Sequence, residues 1–380
     1  MFGSKRTHGR HFPARSTLSA LAVAAGAALT FIAASPALAQ ADLDFTGEEI
    51  ELTVPYGPGG GSNTHNRLFV LGLQQTLPGQ PTIVVRNVEG GGSITGTNEF
   101  AARAEPDGRA FIGVGSSTIL NQILRDPSVR YDLGEFIPFL SSPGGSIVYA
   151  RSDYAGGLTD DPIENIRKVI ENPPTIASQT ITSSDIGMLL SYDLLGIKPK
   201  VVFGIGLGES RAGLERGEFQ MRHDTMFSYG DAVAPLVEDG SAKLLFTMGY
   251  EEDGEIVRDP MVPDVPHFLE VYEAIYGKPL SGIEYDVWKS LFNVRVMAGK
   301  VLMLPAGTAP EIVEAYAQAT RDALELPVMQ DGPAKLIIGE YPQVTGAEAT
   351  GRIMEGALSL TPEHLEWLKA WAAETHGATF

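Results

Sequence analysis

The chain has no cysteine among its 380 residues, so disulfides, thiolate nucleophiles and cysteine metal sites are all unavailable to it. Positive charge is scarce: 28 Lys and Arg stand against 47 Asp and Glu, for a net charge of −19. Such an acidic surface repels the phosphates of nucleic acid and of anionic membranes, which excludes both as partners. It leaves a small anion open, because surface charge is screened over about 10 Å while main-chain dipoles in a cleft act at contact range. After the first forty residues there is no apolar run long enough to span a bilayer. His65, His223, His267, His364 and His376 show no zinc-like spacing with a second ligand. A Gly-x-Ser-x-Gly elbow is also missing. No enzymatic activity, metal or cofactor is expected.

What is present begins with an address. Lys5, Arg6, Arg10 and Arg15 form a basic leader without an acidic residue, followed by a small-residue apolar run from Leu18 to about Ala34. Ala37-x-Ala39 before Gln40 has the form of a signal-peptidase site. Residues 1–39 therefore read as a signal peptide cleaved after Ala39, with export to the periplasm. No cysteine at the cleavage point could carry a lipid anchor. Loss of the leader makes the remainder more acidic still, and an exported chain without disulfides depends on its core. The 43 Gly and 25 Pro point to many tight loops.

The order is strand, glycine loop, helix, repeated. Ile50–Pro55 runs into Tyr56-Gly57-Pro58-Gly59-Gly60-Gly61-Ser62-Asn63 and then a helix with Val70, Leu73 and Leu77 on one face. Thr82–Val85 precedes a loop from Asn87 to Gly92 and a helix from about Ser93. Ala110–Val114 precedes Gly115-Ser116-Ser117-Thr118 and an apolar helix. Alternation of this kind implies βαβ units and a parallel sheet whose loops emerge together at its carboxyl edge, where ligands of open α/β folds bind. Asn63, Ser93 and Ser116 or Ser117 are placed to cap the helices. The first helical N–H groups carry about half a positive charge, and glycine allows an anion to approach them. The first loop lacks the Lys-Ser/Thr pair of a P-loop and the spacing of a dinucleotide fingerprint.

The middle of the chain repeats the pattern. Thr175–Ser178 leads through Gln179–Ser184 into a helix from Asp185 to Leu195, and Lys200–Phe203 through Gly204–Gly208 into a helix over Glu209–Arg216. Phe219–Arg222 is a strand ending at His223-Asp224-Thr225, and Lys243–Met248 is another. The expected fold is α/β and two-lobed, of the periplasmic binding protein type (type II-like), each lobe a mostly parallel sheet flanked by helices with the ligand cleft between. Residues 40–147 and 248–380 form lobe 1, and 148–247 an inserted lobe 2. Helices over Pro310–Leu326 and Pro362–Glu374 complete the chain, with Trp367 and Trp371 as core residues.

Several segments taken in order resemble one family. They are Val54–Gly61, Val84-Val85-Arg86-Asn87 with Gly90-Gly91-Gly92-Ser93-Ile94-x-Gly96, and Pro106-Asp107-Gly108. Tyr131-Asp132 with Phe136-x-Pro138 follows, then Arg258-x-Pro260 with Pro263–Pro266, and finally Leu304–Pro310 before a long helix. Together they resemble the tripartite tricarboxylate transporter receptors, also called Bug-type solute-binding proteins. The resemblance implies a periplasmic receptor that holds carboxylates by backbone amides, hydroxyls and ordered waters and delivers them to a membrane permease with large and small subunits. The chain departs from the family pattern at Asn63, where Asp is usual, at Val88-Glu89, and at Asp185-Ile186. The usual Tyr and Lys of the second-lobe loop are missing around Val202–Gly206.

The candidate ligand-binding residues are Tyr56, Gly59, Gly60, Gly61, Ser62 and Asn63 in the first loop, and Gly90, Gly91, Gly92 and Ser93 in the second. Ser116, Ser117 and Thr118 follow in the third. Thr180, Ser183, Ser184, Asp185, Gly204, His223 and Asp224 come from the second lobe. The expected partners are a small organic carboxylate and the permease, with the receptor itself a monomer. Two other classes remain open: an exported α/β hydrolase acting on a carboxylate compound, and a ligand-presenting sensor subunit.

Overall fold

The computed structural model describes residues 43–58, 61–330 and 332–378. The leader and its cleavage site lie outside the described residues. Strand β1 (Glu49–Val54) buries Ile50, Leu52 and Val54 completely. Helix α1 (Gly61–Thr76) returns over it through Leu68, Phe69 and Leu73. The unit recurs as β2 (Thr82–Asn87) with α2 (Ile94–Arg103), and as β3 (Ala110–Gly115) with α3 (Ser116–Ile123). Because β1 pairs parallel with both β2 and β3, the three following loops share one edge of the sheet.

Strand β4 (Ile137–Ser142) lies in the same sheet, and Ser142-Pro143-Gly144-Gly145 carries the chain directly into β5 (Ser146–Arg151) of a second sheet. Next come α4 (Pro162–Glu171), β6 (Thr175–Ser178), α5 (Ile186–Leu194), β7 (Lys200–Phe203) and α6 (Leu207–Glu215). The run closes with β8 (Met221–Thr225), α7 (Ala234–Glu238) and β9 (Ala242–Thr247). Helix α4 starts sharply because the Asp161 carboxylate accepts from the Ile163 and Glu164 amides, ahead of Pro162 at the first helical position.

A hairpin, β10 (Tyr250–Glu252) and β11 (Glu255–Val257), precedes α8 (Phe268–Tyr276) and α9 (Ile283–Phe292). Strand β12 (Lys300–Leu304) then re-enters the first sheet. The chain finishes with α10 (Pro310–Leu324), α11 (Pro327–Gln330), α12 (Pro333–Ile338), β13 (Val344–Thr345), α13 (Ala347–Ala357) and α14 (Pro362–His376). Trp371 is buried and Trp367 packs against the same core, as expected.

The two-lobed α/β class stands, with more mixed pairing than a mostly parallel sheet. The first sheet runs β13-β4-β12-β3-β1-β2, and β12 is antiparallel to both β3 and β4. The second lobe has a three-stranded sheet in which β5 is antiparallel to β8 and β9, beside a parallel β6-β7 pair. The reason lies in the connections. Parallel neighbours need a crossover that carries the chain back to the same end of the sheet, whereas β5 and β12 each enter after the chain has left the other sheet and can run in either direction.

Candidate functional site

The three loops of the first sheet are tied by a hydroxyl cluster. The Tyr56 and Thr118 hydroxyls lie 2.7 Å apart, Ser93 Oγ is 2.8 Å from Thr118 Oγ1, and Ser117 Oγ donates to the Tyr56 oxygen at 3.4 Å. Thr118 is fully buried and serves as the knot. Asn87 donates through Nδ2 to the Tyr56 carbonyl at 2.8 Å and to Asn63 Oδ1 at 2.9 Å, joining the first two loops from behind.

Gly90, Gly91 and Gly92 have φ of 140°, 56° and 65°, and Ser93 follows at 86°. A run of left-handed residues is open to glycine at little cost but strains a serine by about 1–2 kcal/mol. The bond to Thr118 and the Ser93 amide bond to the Gly90 carbonyl hold Ser93 there. Retained strain of this kind clusters at functional sites.

The anticipated caps do not form, and the reason is tertiary. Asn63 stands in the first turn of α1, where its oxygen accepts from Asn87 and from Arg67 Nε at 3.2 Å. Ser93 is spent on Thr118, and Ser116 donates instead to the Val294 carbonyl at 3.1 Å. Helices α2 and α3 thus start without a side-chain cap. In α2 the loop itself takes the first amides, the Ile94 N–H donating to the Gly91 carbonyl and the Thr95 N–H to the Gly90 carbonyl at 3.3 Å.

These loops line a cleft of about 1040 Å³, at the upper end of the range for small-molecule sites. Of the sequence candidates, Tyr56, Gly61, Ser62, Gly90, Gly91, Gly92, Ser93 and Ser117 form one wall. Thr180, Ser183 and Ser184 form the facing wall, from the second lobe. Gly59 and Gly60 lie outside the described residues. Pro55, Gly57, Ile94 and Thr95 complete the first wall, and Glu89, Asn121, Asp126, Ser128, Gln179 and Thr182 add polar groups that sequence reasoning passed over. Glu89, Gln179 and Thr182 sit in loops already marked by their glycines and hydroxyls. Asn121, Asp126 and Ser128 come from α3 and the turn beyond it, where no local signal marks them.

The remaining candidates lie behind the walls. Asn63, Ser116, Thr118, Gly204, Asp185, His223 and Asp224 are not among the lining residues. His223 and Asp224 belong to β8 itself, which runs three residues further than the alternation suggests, and both are buried. His223 meets Tyr192 at 3.2 Å and Asp185 at 3.1 Å through its two ring nitrogens, leaving neither to activate a serine. Burial would raise the Asp185 carboxyl, but the hydrogen bond and charge of His223, with the charge of Arg295, outweigh it and hold the carboxyl well below the usual range. Asp185 also accepts from Ser178 Oγ at 2.8 Å and the Gln179 amide at 3.1 Å, which fixes the start of the Thr180–Ser184 loop.

Asp224 receives Arg222 twice, at 2.8 and 2.9 Å, together with Arg211 at 2.9 Å and the Tyr149 hydroxyl at 2.8 Å. Burial opposes its ionisation, and the two guanidiniums override that and lower its pKa. Gly204 donates its amide to the Gln179 carbonyl at 2.9 Å, bracing the same loop. Among the described residues no group of three or more His, Cys, Asp or Glu side chains is placed to hold a metal ion. No described helix is long and apolar enough to cross a membrane.

Comparison with known proteins agrees with this architecture. No family model matches the chain. Over 342 residues, 87% of the chain and 90% of the relative, it is 27% identical to the UPF0065 protein in gbd 5'region of Cupriavidus necator. In fold it is similar to the periplasmic binding protein BugD, with a TM-score of 0.57 and 18% identity over 86% of this chain and 97% of that one. It is also similar to MatC of Rhodopseudomonas palustris with bound malate, with a TM-score of 0.56 and 20% identity over 85% and 98% of the two chains. The resemblance carried by the glycine loops is borne out by relatives in sequence and neighbours in fold alike.

Proposed function

We propose that this chain, a relative of the UPF0065 proteins built on the two-lobed periplasmic binding fold, is a receptor of the tripartite tricarboxylate type that captures a small organic carboxylate without chemical change. The observation that carries the reading is the pair of facing walls. Left-handed glycines and the hydroxyl-bearing Tyr56, Ser62, Ser93 and Ser117 form one, and the hydroxyls of Thr180, Ser183 and Ser184 form the other. A carboxylate among such donors gains charge-assisted hydrogen bonds worth about 1.5–3 kcal/mol each. Two or three of them, with burial of the carbon skeleton, reach the roughly −8 kcal/mol of micromolar binding. The malate bound to MatC supports the same ligand class here.

The leader supports export with cleavage after Ala39, and the fold supports a periplasmic receptor that hands its guest to a permease of large and small subunits. Ser142–Ser146 and the return through β9 and β12 are the strands about which the lobes would close. A thermal-shift panel of malonate, succinate, glutarate, malate, adipate and benzoate tests the reading on the mature protein. The expected result is stabilisation by at least one member, about 2.7 kcal/mol at a hundredfold excess over its dissociation constant. A flat response to every member would overturn it.

A further inference from the structure

Strand β12 runs antiparallel to β3 and β4 in the first sheet, so its beginning lies at the edge where the parallel strands end. Its first residue is Lys300, directly opposite Gly115 at the end of β3 on one side and Ser142 at the end of β4 on the other. Residues directly opposite in an antiparallel ladder point to the same face. On that face a Cβ at Gly115 would stand 3.2 Å from the Tyr56 hydroxyl, 3.3 Å from the Gly299 carbonyl and 3.5 Å from Ser62 Oγ. Ser142 Oγ lies 2.7 Å from His65 Nε2 of α1. The Lys300 side chain therefore rises between the Tyr56 and Ser62 hydroxyls and His65, beneath the start of α1. Phe227 covers it from the second lobe, its ring centre 5.5 Å from the ammonium.

An ammonium carries three donors. Among the described residues the one acceptor it meets is the Gly299 carbonyl at 3.1 Å, and no carboxylate pairs with it. Its charged neighbours repel. Arg295, from the turn before β12, lies near it and is engaged by Ser146 Oγ at 2.8 Å. Burial, and then the charge of Lys300 itself, push the His65 imidazole down to about 3, so His65 stays neutral. Burial and the Arg295 charge push Lys300 down to about 8. Lys300 is half-buried and stands one layer behind Tyr56 and Ser62, which line the cleft. In a chain of net charge −19, an unpaired cation at that spot asks for an anion.

We propose that Lys300, set behind Tyr56 and Ser62 of the first wall, is the cation whose charge draws the guest's negative group, in addition to the main-chain amides of the glycine loops. The proposal rests on the carboxylate-receptor reading and adds to it one charged side chain that sets affinity. Because the guest restores the missing counter-charge, Lys300 takes up a proton as the complex forms near pH 8. His65 stays neutral across that range and Tyr192, beyond Arg295, titrates well above it, while the guanidinium of Arg295 keeps its charge.

The test uses the mature chain with its tightest member of the carboxylate panel, titrated by calorimetry from pH 7 to 9.5 in buffers of different ionisation enthalpy. The wild type is expected to lose affinity as pH rises through the Lys300 range and to absorb protons on binding. K300Q should bind about 10- to 100-fold more weakly at pH 7, with a flat pH profile and no proton uptake. K300R should keep its affinity to pH 9.5. K300M, freed of an unpaired buried charge, should melt higher while binding more weakly, a pairing of signs that a packing role does not produce. Unchanged affinity and proton uptake in K300Q, or a fall of melting temperature and affinity together in K300M, would overturn the role of Lys300 and leave the receptor reading standing. Absence of binding by every panel member in the wild type would overturn both.

Discussion

At the scale of single residues, the polar groups that hold the second lobe are distinct from those that line the cleft. Asp224 illustrates the difference. It balances Arg222, which is 3% exposed in its side chain, and Arg211 beside it. Asp224→Ala leaves a buried guanidinium without a counter-charge, at a cost of about 3–5 kcal/mol. Urea denaturation should show that loss, whereas a residue whose role was confined to ligand contact would leave the midpoint unchanged. Asp259 makes the opposite case. Fully buried beside Gly145, it accepts the Tyr341 hydroxyl at 2.6 Å and the Met261 amide at 3.0 Å. Burial outweighs both bonds and raises its pKa to about 6. Below about pH 4 both folded and unfolded carboxyls are protonated and nothing is lost. Between there and pH 6 the unfolded state ionises first, so stability falls as pH rises, and above pH 6 the penalty is complete. Asp259→Asn should therefore stabilise the protein by on the order of 1–3 kcal/mol at pH 7.5, with the gain shrinking toward pH 4 in melting curves.

At the scale of elements, the βαβ units were legible because their signals are local. β6 and β7 fall where the β-branched runs place them, at Thr175–Ser178 and Lys200–Phe203. The caps were not legible, since Asn63, Ser93 and Ser116 are claimed by Asn87, Thr118 and Val294 from other parts of the chain. Glycine separates two kinds of constraint here. At Gly96, inside α2, an added Cβ would sit 2.9 Å from Pro55 Cβ and closer still to the Val88 carbonyl. Gly→Ala ordinarily stabilises a helix by about 0.5–1 kcal/mol. Gly96→Ala should instead destabilise by about 1–3 kcal/mol and weaken carboxylate binding, because α2 must back away from the first loop. At Gly91 the constraint is φ, and its Cβ would make ordinary contacts, Ile94 at 3.4 Å and Thr95 Oγ1 at 4.0 Å. Gly91→Val should therefore fold, at a cost of about 1–2 kcal/mol, and bind poorly. A folded variant of undiminished affinity in calorimetry would place the guest elsewhere.

At the scale of the whole molecule, the chain passes between its sheets at Ser142–Ser146 and again between β9 and β12, and that arrangement makes a cleft. The C-terminal helices complicate a division by residue number. The Trp288 indole of α9 donates to Ser191 at 3.0 Å and that of Trp371 in α14 to Asp193 at 2.9 Å, both on α5. We therefore propose that α9 and α14 move with the second lobe when the cleft closes, in place of the whole of 248–380 moving with the first. Small-angle scattering with and without a stabilising carboxylate should register closure as a smaller radius of gyration.

The sequence by itself determined the alternation of strands and helices, the common edge of the three glycine loops, the family resemblance and the acidic character of the chain. Each depends on residues near one another in the chain or on composition alone. Tertiary structure decided which hydroxyls face the cleft and which knot the loops, that His223 and Asp224 serve packing and charge balance, and that β12 enters antiparallel. The last of these sets Lys300 at the ligand edge. Strand direction is a property of the sheet, and no spacing within Lys300–Leu304 encodes it.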